Sequence, residues 1–379
     1  MLLRENLSNI WRRLQHDLFP EIEDALGPLS EKHRTLVVVL ETVRVEAFLP
    51  YQHGLVGRPL TERAALARAF IAKAVYNLPT TRLLLDLLEG DVRLRRLCGW
   101  ERRQDVPKEW TFSRAFATFA EQQLPARVHE ALIKATLGDQ IVGHVSRDST
   151  AIEAREKPTT KPKGEKPKPG KRGRRRKGEE APIKEPSRIE LQKTMTLAQM
   201  LADLPKSCDR ACKRNAKGHQ ESWNGYKLHI DTADGDVPLS TILTSASVHD
   251  SQVALPLALM TAKRVQSLYD LMDSAYDNKG IRDYSHMLGH IPIIDINPRR
   301  DASLAADIER EAKARNKINF QTAEDLRYNQ RSSAERVNSQ LKDNLGGNHI
   351  RVRGNEKIYT HLMFGILSLA ALQLMRLVT

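Results

Sequence analysis

A strongly basic stretch rich in proline and glycine divides the chain and limits what it can fold into. Between Pro158 and Lys177 there are ten Lys or Arg residues and a single acidic residue, Glu165. Such a segment has too few apolar side chains to offset the entropy lost on ordering, so we predict a flexible, positively charged insert at about 155–187. The regions on either side of it must therefore build the folded protein.

Three arginines at the centre of this stretch, Arg172, Arg174 and Arg175, admit two interpretations. Residues 170–175 resemble an AT-hook, in which an Arg-Gly-Arg core lies flat in a narrow minor groove, although the proline that usually follows the core is missing. The same residues could instead be a solvated charge run that holds phosphates without reading bases. Both interpretations make these arginines candidate DNA contacts.

The whole chain is basic, with 60 Lys and Arg against 47 Asp and Glu in 379 residues. Such an excess usually faces phosphate or an acidic membrane surface. No membrane partner is predicted, because Arg4 interrupts any signal-peptide apolar region. The most apolar segment, 361–379, contains Ser368, Gln373 and Arg376, and we predict a buried helix rather than a membrane span. Three cysteines give no disulfide framework and fit a reducing cytoplasm.

Residues 1–138 predict an all-α domain. Within it, a helical pattern at 91–98 is followed by another at 111–123, which carries three phenylalanines at helical spacing. If this pair forms a helix-turn-helix, the phenylalanines pack inward and Arg114 faces DNA. The alternative is a plain helical bundle, and spacing alone does not decide between the two.

Residues 139–379 predict an α/β domain. Short apolar runs alternate with helical patterns, and a turn at Asp234-Gly235 joins two of the runs into a hairpin. The predicted strands lie at 140–145, 225–231, 237–246, 269–272 and 291–296, and the predicted helices at 255–268 and 332–345. This order of elements indicates a mixed sheet flanked by helices.

Two aspartates follow predicted strands and are candidate metal ligands. Asp148 comes after the first strand and Asp273 after the strand at 269–272, so both should stand at the carboxyl edge of the sheet, where ligands commonly bind. A buried carboxylate is costly unless a partner or a metal compensates its charge. With a third carboxylate from a nearby helix, the two would form an oxygen-rich site for Mg²⁺ or Mn²⁺. Asp270 lies on the opposite face of its strand by period-two alternation and is excluded.

Polar residues at 249–251 have simpler interpretations. Asp250 and Ser251 precede an apolar helical run, and we predict that one of them caps that helix. His249 is interpreted as a polar residue that ends a strand, with an acid or base role as the alternative.

The third carboxylate is Glu335, which lies in a helical motif with Tyr328, Arg331 and Lys342. At 100° per residue all four side chains share one narrow face, if the helix extends back to the tyrosine. That face would place a metal-binding carboxylate between two cations that hold DNA phosphates and a phenol beside them. As an alternative, Ser332 and Glu335 would form a capping box, and the helix would begin only there.

This helical motif matches without a gap the YREK motif of DDE-type transposases from bacterial insertion sequences. Residues 147–150 (RDST) and 272–277 (MDSAYD) resemble the first and second aspartate blocks of that family. Residues 223–229 and 248–252 are similar to segments of related insertion-sequence proteins. The resemblance covers residues 80–379, and the basic insert is a departure from the more compact relatives.

The resemblance implies a ribonuclease H-like catalytic domain with a mixed five-stranded sheet. It implies that Asp148, Asp273 and Glu335 bind two Mg²⁺ ions, with Mn²⁺ as the alternative ion. It further implies that Arg331 and Lys342 lie on DNA phosphates near the cleavage site, with Tyr328 beside them.

The leading hypothesis is therefore a transposase that binds the terminal inverted repeats of its own element. A metal-activated water would cut a strand, and the resulting 3′ hydroxyl would attack target DNA. Double-stranded DNA is the expected partner, with a homodimer at the two ends and a location at the bacterial nucleoid in the cytoplasm. One alternative is a non-catalytic, sequence-specific DNA-binding protein derived from a transposase; another is a metal-dependent nuclease without strand transfer.

Overall fold

The computed structural model describes residues 3–50, 62–159, 186–214, 218–299 and 301–379. Most of the predicted basic insert, with Arg172, Arg174 and Arg175, lies outside the described residues. The prediction that it contacts DNA stays a prediction.

The described residues before the first strand are helical, as predicted. The helices are α1 (Leu3–Arg13), α2 (Phe19–Leu26), α3 (Glu31–Val43), α4 (Arg63–Val75), α5 (Thr81–Gly90), α6 (Val92–Cys98), α7 (Glu109–Glu121) and α8 (Leu124–Leu137). Side-chain caps fix several starting points: Ser30 begins α3, Thr80 begins α5, and Asp91 begins α6, each accepting a backbone N–H of the first turn.

The predicted helix-turn-helix pair has a different geometry. Residues 99–108 separate α6 from α7, whereas a helix-turn-helix joins its helices by a turn of about three or four residues. On α7 the three phenylalanines are buried, and Phe112 and Phe116 contact Phe70 of α4. Arg114 is exposed, and its guanidinium lies 4.2 Å from the ring centre of Trp110. The pair therefore belongs to a helical bundle, and a DNA contact by Arg114 stays a prediction.

A six-stranded mixed sheet is formed by the described residues that follow. The strands are β1 (Ile141–Glu153), β2 (Asp209–Arg214), β3 (Gln220–Ala233), β4 (Val237–Ser245), β5 (Gln266–Met272) and β6 (Ile291–Ile294). Their order is β4-β3-β1-β5-β6, with β3 antiparallel to both β4 and β1, and with β1, β5 and β6 parallel to one another. These five strands form the ribonuclease H-like sheet, as predicted.

The sixth strand, β2, is additional to the predicted five. It pairs with the first part of β3, and Gly225 has Asp209 of β2 on one side and Glu153 of β1 on the other. This crowded position explains the glycine: its φ is +151°, and a Cβ there would lie 2.2 Å from the carbonyl oxygen of Ile152. β2 and β4 pair with the same edge of β3: β2 pairs with residues 220–225 and β4 with residues 226–233.

Helices cover the sheet. They are α9 (Arg188–Gln192), α10 (Leu197–Asp203), α11 (Ala254–Ala262), α12 (Lys279–Met287), α13 (Ala302–Lys317), α14 (Ala323–Tyr328), α15 (Ser332–Asn344) and α16 (Asn355–Arg376). A 3₁₀ turn at Asn329–Arg331 links α14 directly to α15. The chain is thus helical from residue 323 to residue 344.

Helix α16 joins the helical region to the sheet. By length and composition it could cross a membrane, but it is largely buried inside the protein, as predicted. Phe364 packs in the helical core with Phe70, whereas Ile366 lies in a core with Leu228 and Ile230 of the sheet. The change from helices to strands falls between residues 137 and 141, next to the predicted domain boundary. Since both regions share α16, a division into two domains at residue 138 stays a prediction.

Candidate active site

Asp148 and Asp273 are brought side by side by the pairing of two parallel strands. Arg147 of β1 is in register with Met272 of β5, so the residues that follow them are neighbours. Asp148 lies in the middle of β1 rather than after its end, because β1 continues to Glu153 through its pairing with β3. The sequence-based strand boundary at residue 145 was therefore wrong. Asp273 follows β5 as predicted, and its Oδ1 accepts the backbone N–H of Ala275 at 3.0 Å.

Burial raises the pKa values of both aspartates. The pKa of Asp148 rises to about 6, because burial outweighs the hydrogen bond from the Ser149 backbone and the charge of Arg331. Burial also raises the pKa of Asp273 above its usual value. The negative charge of Asp250 raises the pKa of each carboxylate further, and the charge of Asp273 does the same for Asp148. The pair thus carries negative charge that the surrounding side chains only partly compensate, which is the situation that a bound cation would relieve.

Asp250 belongs to the same carboxylate cluster, and its predicted role as a helix cap was wrong. His249 caps the short turn at Asp250–Gln252 instead, through its ring nitrogen and the N–H of Ser251. The carboxylate of Asp250 turns toward the sheet, where Oδ1 accepts hydrogen bonds from Ser149 at 2.9 Å and from Lys227 at 3.0 Å.

The cation next to Asp250 keeps that carboxylate ionised. Burial alone would raise the pKa of Asp250, but the neighbouring His229 and Lys227 lower it below its usual value. Lys227 and His229 lie more than 20 positions before Asp250 in the sequence, so only the fold brings them to it. No local sequence signal points to this contact.

A buried tyrosine hydroxyl faces the three aspartates. Tyr276 is 1% exposed, and its hydroxyl has no hydrogen-bond partner within the described part of the chain. Burial raises its pKa well above the usual value, and the charges of Asp250, Asp148 and Asp273 raise it further. A buried hydroxyl without a partner costs free energy, which a ligand or water beside the aspartates would relieve.

Three residues of the predicted helical motif, Tyr328, Arg331 and Glu335, contact one another in sequence order. The Tyr328 hydroxyl donates to Asp295 Oδ2 at 2.5 Å, and Arg331 lies 5.6 Å from the ring centre of the same tyrosine. Arg331 Nη2 then donates to Glu335 Oε1 at 2.6 Å. Because Arg331 and Ser332 are both helical, the capping-box alternative for Glu335 was wrong.

Asp295 is a further residue that the sequence did not single out. It follows β6 directly, and its carboxylate receives the Tyr328 hydroxyl. Burial, followed by the contact with Asp295, raises the pKa of Tyr328. The signal was present in the sequence, because Asp295 follows an apolar run as Asp273 does.

Glu335 does not join the two aspartates in this conformation. Its side chain is 56% exposed and is ion-paired with Arg331. No three His, Cys, Asp or Glu side chains of the described residues are placed to hold a metal ion together. Nevertheless α15 packs against β1, and one turn after Glu335 the amide of Asn338 donates to Asp148 Oδ2 at 3.0 Å. Glu335 is therefore on the helix that adjoins the aspartates.

Lys342 is farther along α15, near the end of β1. With Glu153, Lys213 and Trp223 it lines a cavity of about 220 Å³. Burial lowers the pKa of Lys342, and the charge of Lys213 lowers it further. The structure thus separates the motif into two parts: Tyr328, Arg331 and Glu335 lie beside the carboxylates, and Lys342 lies in a neighbouring cavity whose lining holds two lysines and two glutamates.

The side chain of Arg147 lies on the face of β1 opposite to Asp148, where it pairs with Asp231 of β3. Its guanidinium makes two hydrogen bonds of 2.8 Å to the carboxylate of Asp231 on β3, and both side chains are buried. Thr261 of α11 donates to the same carboxylate at 2.7 Å. Since neighbouring side chains alternate along a strand, this bidentate pair fixes Asp148 toward α15. Asp270 points away from the site, toward Ser285 and His290.

Two family models match the chain. Residues 194–371 match the model described as "Transposase DDE domain", and residues 24–118 match the model described as "Transposase domain (DUF772)". No curated protein and no solved structure matches the chain. The first match includes Asp273 and Glu335, whereas Asp148 lies between the two matched ranges.

Proposed function

Because the chain belongs to the DDE transposases, we propose that it binds the terminal inverted repeats of its insertion sequence and catalyses metal-dependent strand cleavage and strand transfer. The observation that carries the proposal is the parallel pairing of β1 and β5, which sets Asp148 beside Asp273. The helix that bears Glu335 packs against the same strand.

The donor set suits a hard divalent cation. Asp148 and Asp273 offer partly buried carboxylate oxygens with raised pKa values, and the Tyr276 hydroxyl nearby has no hydrogen-bond partner among the described residues. Carboxylate oxygens are the usual ligands of Mg²⁺ and Mn²⁺. We assign Asp148, Asp273 and Glu335 as the metal-holding residues. A pair of bound Mg²⁺ ions would stabilise the attacking and leaving oxygens of a phosphodiester.

Arg331 connects DNA binding to the position of Glu335. The arginine now neutralises Glu335, and a DNA phosphate arriving beside Tyr328 would offer its guanidinium a second anion. Glu335 would then be free to turn toward the two aspartates. In this scheme the carboxylate triad is completed only when DNA is present, which limits unspecific nicking.

Several further groups would hold DNA in this proposal. Tyr328 and Arg331 contact phosphates beside the reacting one, and Lys342 contacts the strand farther along β1. Arg114 on α7 and the basic insert contribute contacts to DNA outside the active site. Two element ends require two copies of the chain, so we propose a homodimer on DNA, acting at the bacterial nucleoid.

The test is cleavage of DNA that flanks the gene of this protein, in Mg²⁺ and in Ca²⁺. Asp148→Asn, Asp273→Asn and Glu335→Gln should each abolish nicking and keep DNA binding, because each removes a ligand and little surface charge. Glu324→Gln is a matched control, since Glu324 is an exposed carboxylate on α14. Cleavage that survives any of the three changes removes that residue from the triad.

The same assay separates the alternatives. A non-catalytic DNA-binding protein would bind the duplex and never cut it. A nuclease without strand transfer would cut it, yet would not join pre-cut ends to a target duplex. Joined products from pre-cut ends, lost in Glu335→Gln and kept in Glu324→Gln, are the outcome that the proposal requires.

A further inference from the structure

A large cleft lies between the helical region and the segment that leads into α16. Its volume is about 670 Å³, and its lining includes residues of α4, α7 and α16. Arg155, just beyond β1, and the residues at 351–353 complete its wall. No residue of the candidate triad lines it, so the cleft is a separate feature of the surface.

Basic side chains dominate the lining of this cleft. They are Lys73, Arg155, Arg351, Arg353 and Lys357, whereas burial lowers the pKa of His361, which also lines the cleft, to about 4 and leaves it neutral at pH 7. Within the described part of the chain, the lysines and arginines of this set make no ion pair. The single carboxylate in the lining, Glu109, has Arg82 at 3.8 Å. A cleft with one sign of charge and low-dielectric walls concentrates ions of the opposite sign.

Lys73 is the least expected of these cations. It is only 7% exposed, and burial lowers its pKa to about 8. Phe70 and Phe112 line the cleft beside it. Partial desolvation of this ammonium is costly, and an anion seated in the cleft would offset that cost. Lys73 thus lies deep in the cleft, and the exposed Arg155, Arg351, Arg353 and Lys357 surround its opening.

The cleft lies at the end of a path that starts at the active site. Strand β1 carries Asp148 and, at its end, Glu153; at about 3.3 Å per residue the distance between them is about 17 Å. Arg155 follows two residues later. Helix α15 accompanies β1, placing Lys342 near Glu153, and the chain then continues to Arg351. Lysine and arginine side chains therefore lie along the path from one site to the other, with Glu153 and Glu221 between them.

We propose that this cleft binds the phosphate backbone of duplex DNA on one side of the cleaved bond. Glu153 is about 17 Å from Asp148 and Arg155 at most about 23 Å, so at about 3.4 Å of duplex per nucleotide the contact begins about five to seven nucleotides from the reacting phosphate. The inference rests on the proposed function, since it takes the reacting phosphate to lie at Asp148 and Asp273. It adds an anchoring site formed jointly by α4 and the segment before α16.

The test compares two double variants of the full chain. Arg351→Gln with Arg353→Gln removes two exposed cations from the cleft, and Arg4→Gln with Arg12→Gln removes two exposed cations from α1 as the matched control. Binding to a labelled duplex from the flank of the gene is measured between about 50 and 200 mM KCl. Loss of two phosphate contacts should make the slope of log K against log salt less negative by about 1.8. The control should keep the wild-type slope.

Phosphate ethylation interference on the same duplex locates the contact. In the wild type, ethylation about six nucleotides from the nick should block binding, and this position should lose its effect in the cleft variant. An unchanged slope and an unchanged ethylation pattern in the cleft variant would overturn the inference. Nicking by the wild type is scored in the same samples. A protein that binds with the expected slope change and never cuts would overturn the catalytic proposal and leave the cleft standing.

Discussion

Replacement of Asp148 by asparagine should make the metal-free protein more stable while removing a carboxylate that we assign to catalysis. Burial raises the pKa of this carboxyl from 3.8 to about 6. At pH values above 6 the side chain is ionised in the folded and in the unfolded protein, and the folded state carries the cost of burying the charge. That pKa difference corresponds to about 3 kcal/mol of unfolding free energy, which the neutral amide avoids.

The pH dependence gives the sign of the effect. A raised pKa means that the unfolded chain releases its proton first as the pH rises, so the penalty grows between pH 3.8 and about 6. The advantage of Asp148→Asn should therefore be about 3 kcal/mol at about pH 7.5 and should shrink to about 1 kcal/mol at about pH 4.5.

Urea unfolding in the presence of a chelator measures this difference directly. Asp307→Asn is the control, because Asp307 is an exposed aspartate on α13, and its effect should stay within about 0.5 kcal/mol. Saturating Mg²⁺ should stabilise the wild type and leave Asp148→Asn unchanged, since only the wild type keeps the full ligand set. A variant that is less stable than the wild type at about pH 7.5 without metal would refute the reasoning that this carboxylate is buried without compensation.

Three other changes test the frame around the site. Arg147→Met should destabilise the fold by about 3–5 kcal/mol in urea unfolding because it leaves Asp231 buried and unpaired, and adding Asp231→Leu should restore most of the loss. Gly225→Ala should cost at least about 1–3 kcal/mol, since its Cβ would meet the backbone of β1, whereas Gly90→Ala, which has open space around it, should be tolerated. Asp250→Asn should weaken Mn²⁺ binding, measured by titration calorimetry, because it removes negative charge from the carboxylate cluster; unchanged affinity would separate Asp250 from the metal site.

The sequence predicted the elements whose pattern is local. The hairpin of β3 and β4 was marked by Asp234-Gly235, and Asp273 was placed correctly because an apolar run leads directly into it. The extent of β1 was not predictable in this way. Residues 146–150 are mostly polar and continue the strand only because β3 pairs with them along their whole length.

The features that could not be predicted from the sequence depend on contacts between distant segments of the chain. The residues of β2 (DRACKR) show no strand alternation, and their pairing with β3 is imposed by the sheet. Asp250 was interpreted as a cap from its neighbours alone, whereas Ser149 and Lys227 determine its orientation. The ion pair of Arg331 with Glu335 follows from their spacing of four residues along the helix, but its position beside the aspartates depends on the packing of α15 on β1.

The shared position of α16 has a consequence for how the chain reaches its folded state. This helix of 22 residues supplies side chains to the helical core and to the core beneath the sheet, and a ribosome synthesises it after every other helix and strand described. Until it emerges, apolar surfaces on both regions stay uncovered and the strand that carries Asp148 lacks its support. Nascent chains should therefore remain unable to cut DNA until translation has passed residue 376.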